Sequence, residues 1–218
     1  MAFWGLISRR ERYGLTLRGA IVLACFGIVL LVFVACNLFP FLALSEPVAG
    51  DIMVVEGWLP DYALASVLDD FKKYRYKLLV TTGVPLQAGS HLSKYGTYAE
   101  IAAATIRAMG FDEESLVAVS TTDVARDRTY ESARQLKEWL QINGHKVKAL
   151  NVYTLGPHAR RTRLLYRKVF APDVEVGVIA VAIRDYEPNR WWNYSSGLRH
   201  VLSEAIGYIY ARFFFKPH

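Results

Sequence analysis

The chain has 218 residues, of which 53% are hydrophobic, and a formal net charge of +6. This composition excludes low complexity and global disorder, because such chains are poor in apolar residues. It also excludes a transporter with several membrane spans, since only one stretch of the sequence is uncharged over more than about 18 residues.

The first predicted element is a membrane-spanning helix. Residues 19–44 form a run of 26 residues without a charge, and about 20 apolar helical residues suffice to cross a bilayer. We therefore expect a transmembrane anchor over residues 19–40, with Pro40 close to the end of the helix. A cleaved signal peptide is the alternative, although its apolar region is typically only about 7–15 residues long.

The charges on either side of this run predict its orientation. Residues 1–18 carry four basic residues and one acid, whereas six acids follow the run before the next base, Lys72. The basic residues are Arg9, Arg10, Arg12 and Arg18. The positive-inside rule then places residues 1–18 in the cytoplasm and residues 45–218 on the periplasmic, or extracytoplasmic, side of the inner membrane, behind a single-pass anchor.

The predicted outer domain contains no cysteine. Cys25 and Cys36 both lie within the apolar run. The domain can therefore form neither a disulfide nor a thiolate metal site. Its net charge is close to balanced, which gives no support to a nucleic-acid partner.

Apolar strand-like runs alternate with helical patterns along the rest of the chain. The runs at 51–56, 77–82, 116–120, 147–154 and 174–182 predict strands, and helical spacing follows each of them. Thr97 and Glu100 form a capping box, and Thr129 is a candidate helix cap. This alternation predicts an α/β, Rossmann-like three-layer domain with a mainly parallel sheet of about five strands.

The last predicted helix, residues 196–214, carries an apolar stripe that we expect to pack on the sheet as core. Its members are Leu198, Val201, Leu202, Ala205, Ile206, Ile209 and Phe213. Four aromatic residues near it, among nearby bases, predict an edge that rests on the membrane interface. These are Trp191, Trp192, Phe214 and Phe215. The alternative is that both tryptophans fold back over the cleft or the core.

Ligands of parallel sheets bind beyond the carboxyl ends of the strands. The turn after the fourth strand, TLGPHARRTR, places His158, Arg160 and Arg161 in the first turn of a helix, after Thr154. Cations oppose the helix dipole there, so we expect either a bound anion or neighbouring carboxylates to compensate for them.

Two further segments end at the same predicted edge. In ARDRTYESA, Arg128 and Thr129 are candidate ligand contacts. Glu131 either stabilises the helix start, or is a functional carboxylate that orients His158 or Arg161 or acts as a base.

In VEGWLPD, Glu56 is a candidate catalytic carboxylate, while Gly57 and Trp58 are candidate wall residues. Thr82 and Gly83 end the second strand.

Several common motifs do not occur. There is no GxGxxG, GxxxxGK[ST] or GxSxG sequence, and the five histidines lack the spacing of metal ligands. The sequence therefore predicts no cofactor and no metal.

In the order of its motifs the chain resembles the SanA/YdcF/ElyC-type family of bacterial envelope domains over roughly residues 51–210. The resemblance lies in DIMVVEGWLPD, in Thr82-Gly83, in the helix start Arg128-Thr129-x-Glu131, and in Thr154, His158 and Arg161. It departs at Leu155, where the family usually has Ser, and at Glu56, which replaces part of a Gly-rich turn. The resemblance implies a Rossmann-like domain connected with the cell envelope or peptidoglycan.

From these residues we expect a membrane-anchored domain that binds, and turns over, an anionic cell-envelope metabolite, phosphorylated or carboxylated, such as a lipid-linked precursor. His158 would be its general acid or base, with Glu131 or Glu56 as partner. Arg128, Arg161 and the helix start after Gly156 would hold the anion. A non-catalytic sensing or scaffold module is the alternative. An adjacent histidine and carboxylate would favour the enzyme.

Overall fold

A computed structural model describes residues 15–112, 114–122 and 126–217. Arg9, Arg10 and Arg12, on which the predicted orientation depends, lie outside the described residues. The chain divides into two compact units, Met1–Asn37 and Leu38–His218. Helix α1, Leu17–Leu42, runs through the first unit and ends in the second.

By length and composition α1 can cross a membrane. The helix continues past Pro40 to Leu42, so Pro40 does not end it. The extension follows from packing, because Leu42 is completely buried in the second unit and Phe41 lies edge-on to the ring of Tyr208.

Five parallel strands form the sheet of the second unit, as the alternating pattern predicts. They are β1 (Ile52–Glu56), β2 (Leu78–Gly83), β3 (Leu116–Ser120), β4 (Ala149–Leu155) and β5 (Glu175–Val181). Their order across the sheet is β3-β2-β1-β4-β5, with every neighbouring pair parallel. The strand order reverses between β1 and β4, and this switch point is where open α/β sheets place their ligand crevice.

Helices cover both faces of this sheet. They are α2 (Asp61–Tyr74), α3 (Tyr98–Ala108), α4 (Arg128–Ile142), α5 (Ala159–Phe170) and α6 (Ser195–Phe213). Val54 and Val80 form one core with Leu136 of α4 and Tyr166 of α5. Because side chains alternate along a strand, Met53 and Leu79 belong to the opposite face, and both are completely buried. The α/β three-layer prediction is confirmed.

Two predicted helix starts have different outcomes. At α3 the capping box is present: Thr97 Oγ1 accepts the Glu100 amide, and the Glu100 carboxylate accepts the Thr97 amide. At α4 the cap is Asp127, in the left-handed region at φ 56°, and no side-chain hydrogen bond caps the helix. Thr129 therefore lies inside the first turn and is not the cap.

The prediction that the apolar stripe of α6 packs on the sheet is wrong. The buried residues of α6 are Gly197, Val201, Glu204 and Ala211, whereas two members of the apolar stripe, Ile206 and Phe213, are 69% and 73% exposed. The helix is turned so that its more polar side faces the domain, because Glu204 forms ion pairs there.

Only two of the four aromatic residues predicted to form a membrane-facing edge are exposed. Trp191 and Phe215 are buried, while Trp192 and Phe214 are exposed. Phe215 packs against Tyr130 and Tyr210, with ring centroids 4.9 and 6.4 Å away. Trp191 and Phe215 therefore belong to the core and not to a membrane-facing edge.

Candidate functional site

A cleft of about 530 Å³ opens at the carboxyl edge of the sheet, beside the switch point. Its volume lies within the usual range of small-molecule sites. Eight of the residues singled out from the sequence line it: Glu56, Trp58, Thr82, Gly83, Arg128, Thr129, His158 and Arg161. The remaining lining residues are Val84, Tyr98, Arg126, Asp127, Ser132, His200 and Glu204.

Glu56, the last residue of β1, is 4% exposed on the cleft floor. Thr154 donates a hydrogen bond to Glu56 Oε2, and Thr162 donates one to Oε1 at 3.3 Å. A buried carboxylate needs such donors to offset the loss of water. Thr154 is completely buried and lies outside the cleft lining, so it acts on the site through Glu56.

His158 also lies at the bottom of the cleft, on the β4 side of the switch point. It ends a short 3₁₀ turn, Gly156–His158, between β4 and α5. Its Nδ1 lies 2.9 Å from Glu204 Oε1, and its Nε2 lies 3.5 Å from Glu56 Oε1. Nε2 is buried and has no hydrogen-bond partner among the described residues. The imidazole is therefore hydrogen-bonded at Nδ1, whereas Nε2 makes only the longer ion-pair contact with Glu56.

Arg161 binds the same glutamate in a two-pronged arrangement. Its Nε donates to Glu204 Oε2 at 2.8 Å and its Nη2 to Oε1 at 3.0 Å. Nη2 also lies 3.0 Å from His158 Nδ1. Since an ionised carboxylate can only accept, Nδ1–H of His158 donates to Glu204. The contact between Nη2 and Nδ1 then joins two donors and is not a hydrogen bond, and Glu204 bridges two cations.

These contacts shift the pKa of each partner. Burial alone would lower the pKa of His158, but the negative charges of Glu56 and Glu204 raise it to about 9. Burial would raise the pKa of Glu204, yet His158 and Arg161 hold it well below its ordinary value. The site therefore contains an imidazolium between two carboxylates at neutral pH.

Of the two compensations expected for the basic turn after β4, the structure shows neighbouring carboxylates. Glu204 neutralises Arg161 directly, and His158 lies between Glu204 and Glu56. Arg160 behaves differently: its guanidinium covers the ring of Phe41 at 4.0 Å and donates to the Phe41 carbonyl, outside this cleft.

His200, which the sequence analysis missed, adds a second imidazole to the cleft. Its Nδ1 lies 3.1 Å from the hydroxyl of Tyr186. Burial lowers the pKa of His200, and the charge of His158 acts in the same direction. One cleft therefore holds a charged imidazole and a neutral one, which is the separation expected of an acid and a base.

Trp58 forms one wall of the cleft. It is 40% exposed, and its indole meets the His158 ring edge-on with centroids 5.2 Å apart. Thr82 lies lower in the cleft, where its hydroxyl is 3.3 Å from Tyr166 Oη. Gly57 does not line the cleft; its amide donates to the Thr82 carbonyl and joins the ends of β1 and β2.

The start of α4 forms the opposite rim. Arg126 and Arg128 are exposed, and Arg126 lies 3.8 Å from Asp127. Arg128 makes no ion pair among the described residues. With His158 charged, the lining carries four cations and three carboxylates. The cleft is thus weakly positive, and Arg128 is its exposed unpaired cation.

Glu131 does not occupy the predicted position beside His158. Its carboxylate accepts a hydrogen bond from Arg134 Nε at 2.8 Å, and the residue is not part of the cleft lining. Glu131 is on the first turn of α4 with its side chain directed along the helix to an i+3 partner. Glu204 of α6 takes the role that the sequence analysis considered for Glu131.

Glu204 was missed because its only local signal is a single acid inside an otherwise apolar helical pattern. A buried acid at such a position needs a cationic partner, and the partners lie 43 and 46 residues away in the chain.

Within the described residues no group of three or more His, Cys, Asp or Glu side chains is arranged to hold a metal ion. Neither a protein-family model nor a curated protein matches this chain.

Proposed function

We propose that the domain binds and turns over an anionic metabolite of the cell envelope, carrying a phosphate or a carboxylate. The observation that carries the proposal is the pairing of two imidazoles in one weakly positive cleft. His158 is charged there, with no hydrogen bond at Nε2 among the described residues, while His200 has a lowered pKa. The exposed Arg128 on the rim supplies the attraction for the anion.

The proposed chemistry is proton transfer between these two imidazoles and the substrate. In a hydrolytic step His200 accepts a proton from water as the water oxygen bonds to the phosphorus or carbonyl carbon. The ester bond breaks, and His158 gives its Nε2 proton to the leaving oxygen. Glu56 and Glu204 keep His158 protonated beforehand, and Arg161 holds Glu204 in place.

The cellular setting of the proposal rests on the apolar helix and on the flanking charges. We place α1 in the inner membrane with the N-terminus inside and the domain on the periplasmic side. We also place the chain in the SanA/YdcF/ElyC-type family. The parallel sheet supports this, as do Thr82, Gly83, Arg128, His158 and Arg161, which carry the family's motifs and line one cleft.

Mass spectrometry of compounds that co-purify with the full chain tests the proposal. We expect an anionic compound on the H158Q variant, which cannot donate the proton, and little or none of it on the wild type, which converts it. Arg128→Ala in the H158Q background should lose most of the compound, whereas Arg190→Ala, an exposed arginine outside the cleft lining, should retain it.

The isolated compound is then incubated with wild type and with H200Q. Conversion by wild type and its loss in H200Q support the enzyme. Retention of the same unconverted compound on both wild type and H158Q would instead identify a sensing module. A neutral or cationic compound would overturn the anion assignment.

A further inference from the structure

A second cleft, of about 420 Å³, lies between α5 and α6 and is lined mostly by cations. We call it the basic cleft; it is formed by Leu44, Arg160, Arg163, Leu164, Arg167, Lys168, Tyr208 and Arg212. Among the described residues the only carboxylate in ion-pair range of its five cations is Glu46, which lies 2.6 Å from Arg163. The basic cleft therefore has an excess of four positive charges.

The basic cleft adjoins the place where the chain leaves α1. Leu44, one of its lining residues, follows the end of α1 by two residues, so it lies within about 7 Å of that end along the chain. Phe41 lies edge-on to Tyr208, 5.6 Å between centroids, and under the guanidinium of Arg160. If α1 spans a bilayer, this short chain distance keeps Leu44 and the basic cleft near the level of the lipid headgroups.

The outer side of α6 continues this surface with apolar residues. We call it the outer face of α6; its members are Leu198, Leu202, Ile206, Ile209 and Phe213, which recur at helical spacing and are all exposed. Arg212 and Tyr208 lie on the same helix, toward the basic cleft. Of the five cations in the basic cleft only Arg212 lies on α6, and the other four lie on α5. Together the two helices place an apolar face beside a basic surface, as do elements that lie in a membrane interface.

From this juxtaposition we propose that the basic cleft and the outer face of α6 form a docking surface for an anionic phospholipid bilayer. Headgroup phosphates bind in the basic cleft while the apolar residues of α6 enter the interface beside it. A continuous apolar face of this kind is unusual on the surface of a soluble domain, and the proposed anchor, which ends two residues before Leu44, tethers the basic cleft beside it to the membrane. The charge excess selects anionic over zwitterionic lipid.

The test uses the full chain in nanodiscs, one molecule per disc, with an environment-sensitive fluorophore on Ile209→Cys after Cys25 and Cys36 are replaced by alanine. In discs containing phosphatidylglycerol we expect a blue-shifted emission that spin-labelled lipid quenches. In phosphatidylcholine discs the emission should remain that of a solvated probe. Equal emission in the two lipids would overturn the proposal.

Charge variants distinguish binding in the basic cleft from a general electrostatic attraction of the protein to anionic lipid. Neutralising Arg167, Lys168 and Arg212 together should weaken docking on the order of a hundredfold, since each base near an anionic surface contributes roughly a factor of five. Neutralising Lys72, Lys73 and Lys146, exposed bases outside the basic cleft, should change it little. If the triple variant does not fold, single substitutions of Arg167 and of Arg212 should each weaken docking by a smaller factor.

Two further arms identify other occupants. Inorganic phosphate should reduce docking no more than sodium chloride of equal ionic strength; a stronger effect would show that the basic cleft selects free phosphate and overturn the assignment to lipid. The labelled chain in detergent should show no blue shift as its concentration rises. A concentration-dependent shift there would show that a second copy covers α6, and would also overturn the proposal.

Discussion

The ion-pair network of His158, Arg161, Glu56 and Glu204 combines two cations with two carboxylates in a largely buried position. Its charges balance, which makes burial tolerable, but removing one partner leaves another uncompensated. Glu56 and Glu204 together set the charge state of His158, and Glu204 also contacts Arg161. The network is thus a positioning device for the Nε2 proton as well as a link between α5 and α6.

Replacement of Glu204 by glutamine is expected to lower the pKa of His158 from about 9 toward its ordinary value. The reason is that the variant keeps the shape of the side chain but removes one of the two negative charges that outweigh burial. NMR titration of the His158 ring protons in the full chain measures this pKa. Glu138→Gln, an exposed carboxylate on α4, is the matched control, and an unchanged titration in E204Q would contradict the assigned network.

The same network predicts how stability depends on pH. A histidine whose folded pKa is raised from 6.5 to about 9 stabilises the fold fully below its unfolded pKa, and this contribution is lost as pH rises toward 9. A shift of this size corresponds to about 3 kcal/mol. Glu204 has the opposite sign, because its lowered pKa makes its contribution disappear as the pH falls below its unfolded value.

Denaturant unfolding of the detergent-solubilised chain, followed by tryptophan fluorescence, measures this dependence. Between about pH 6 and pH 10 we expect wild type to lose about 3 kcal/mol more than H158Q, which has no titrating group at this position. Parallel pH profiles of the two proteins would show that His158 is not held in the charged state.

At the scale of elements, the cleft owes its shape to the close approach of α3 to the ends of β1 and β2. A Cβ on Gly57 would lie 2.5 Å from the Tyr98 carbonyl oxygen, and one on Gly83 would lie 2.7 Å from the Ala99 amide nitrogen. Both obstacles are backbone atoms, which cannot turn aside as a side chain can. The glycines therefore set the spacing between the strand ends and α3.

Gly57→Ala is expected to destabilise the fold by about 1–3 kcal/mol, because α3 must move away from the strand ends. Gly96→Ala is the matched control: its Cβ would meet only a flexible carboxylate oxygen, at 3.5 Å, and should change stability by less than about 0.5 kcal/mol. Equal unfolding free energies for the two variants in urea would contradict the close contact.

At the scale of the whole molecule, α1 ends at Leu42, which is buried in the unit Leu38–His218. A reporter enzyme that works only outside the cytoplasm, fused to the C-terminus, is expected to be active. Mass spectrometry should find the uncleaved, full-length protein in the membrane fraction. A soluble form that starts near Glu46 would contradict the uncleaved anchor, and a reporter active only inside would reverse the orientation.

Much of this protein could be predicted from local patterns. Apolar runs alternating with helical spacing indicate buried parallel strands, and the carboxyl ends of such strands must meet at one edge. This rule places Glu56, Thr82, Arg128, His158 and Arg161 at one edge of the sheet, and all five line the cleft there. The capping box of α3 was equally predictable, because all its atoms lie within four residues.

Only the tertiary structure decided how α6 is turned and what its polar residues contact. Periodicity identifies an apolar face but does not state which face meets the domain, and here Glu204 and His200 are turned inward while Ile206 and Phe213 are exposed. The physical reason is that ion pairs with His158 and Arg161 join residues more than 40 positions apart. Such contacts form only when the folded chain brings their charges together, and no local pattern records them.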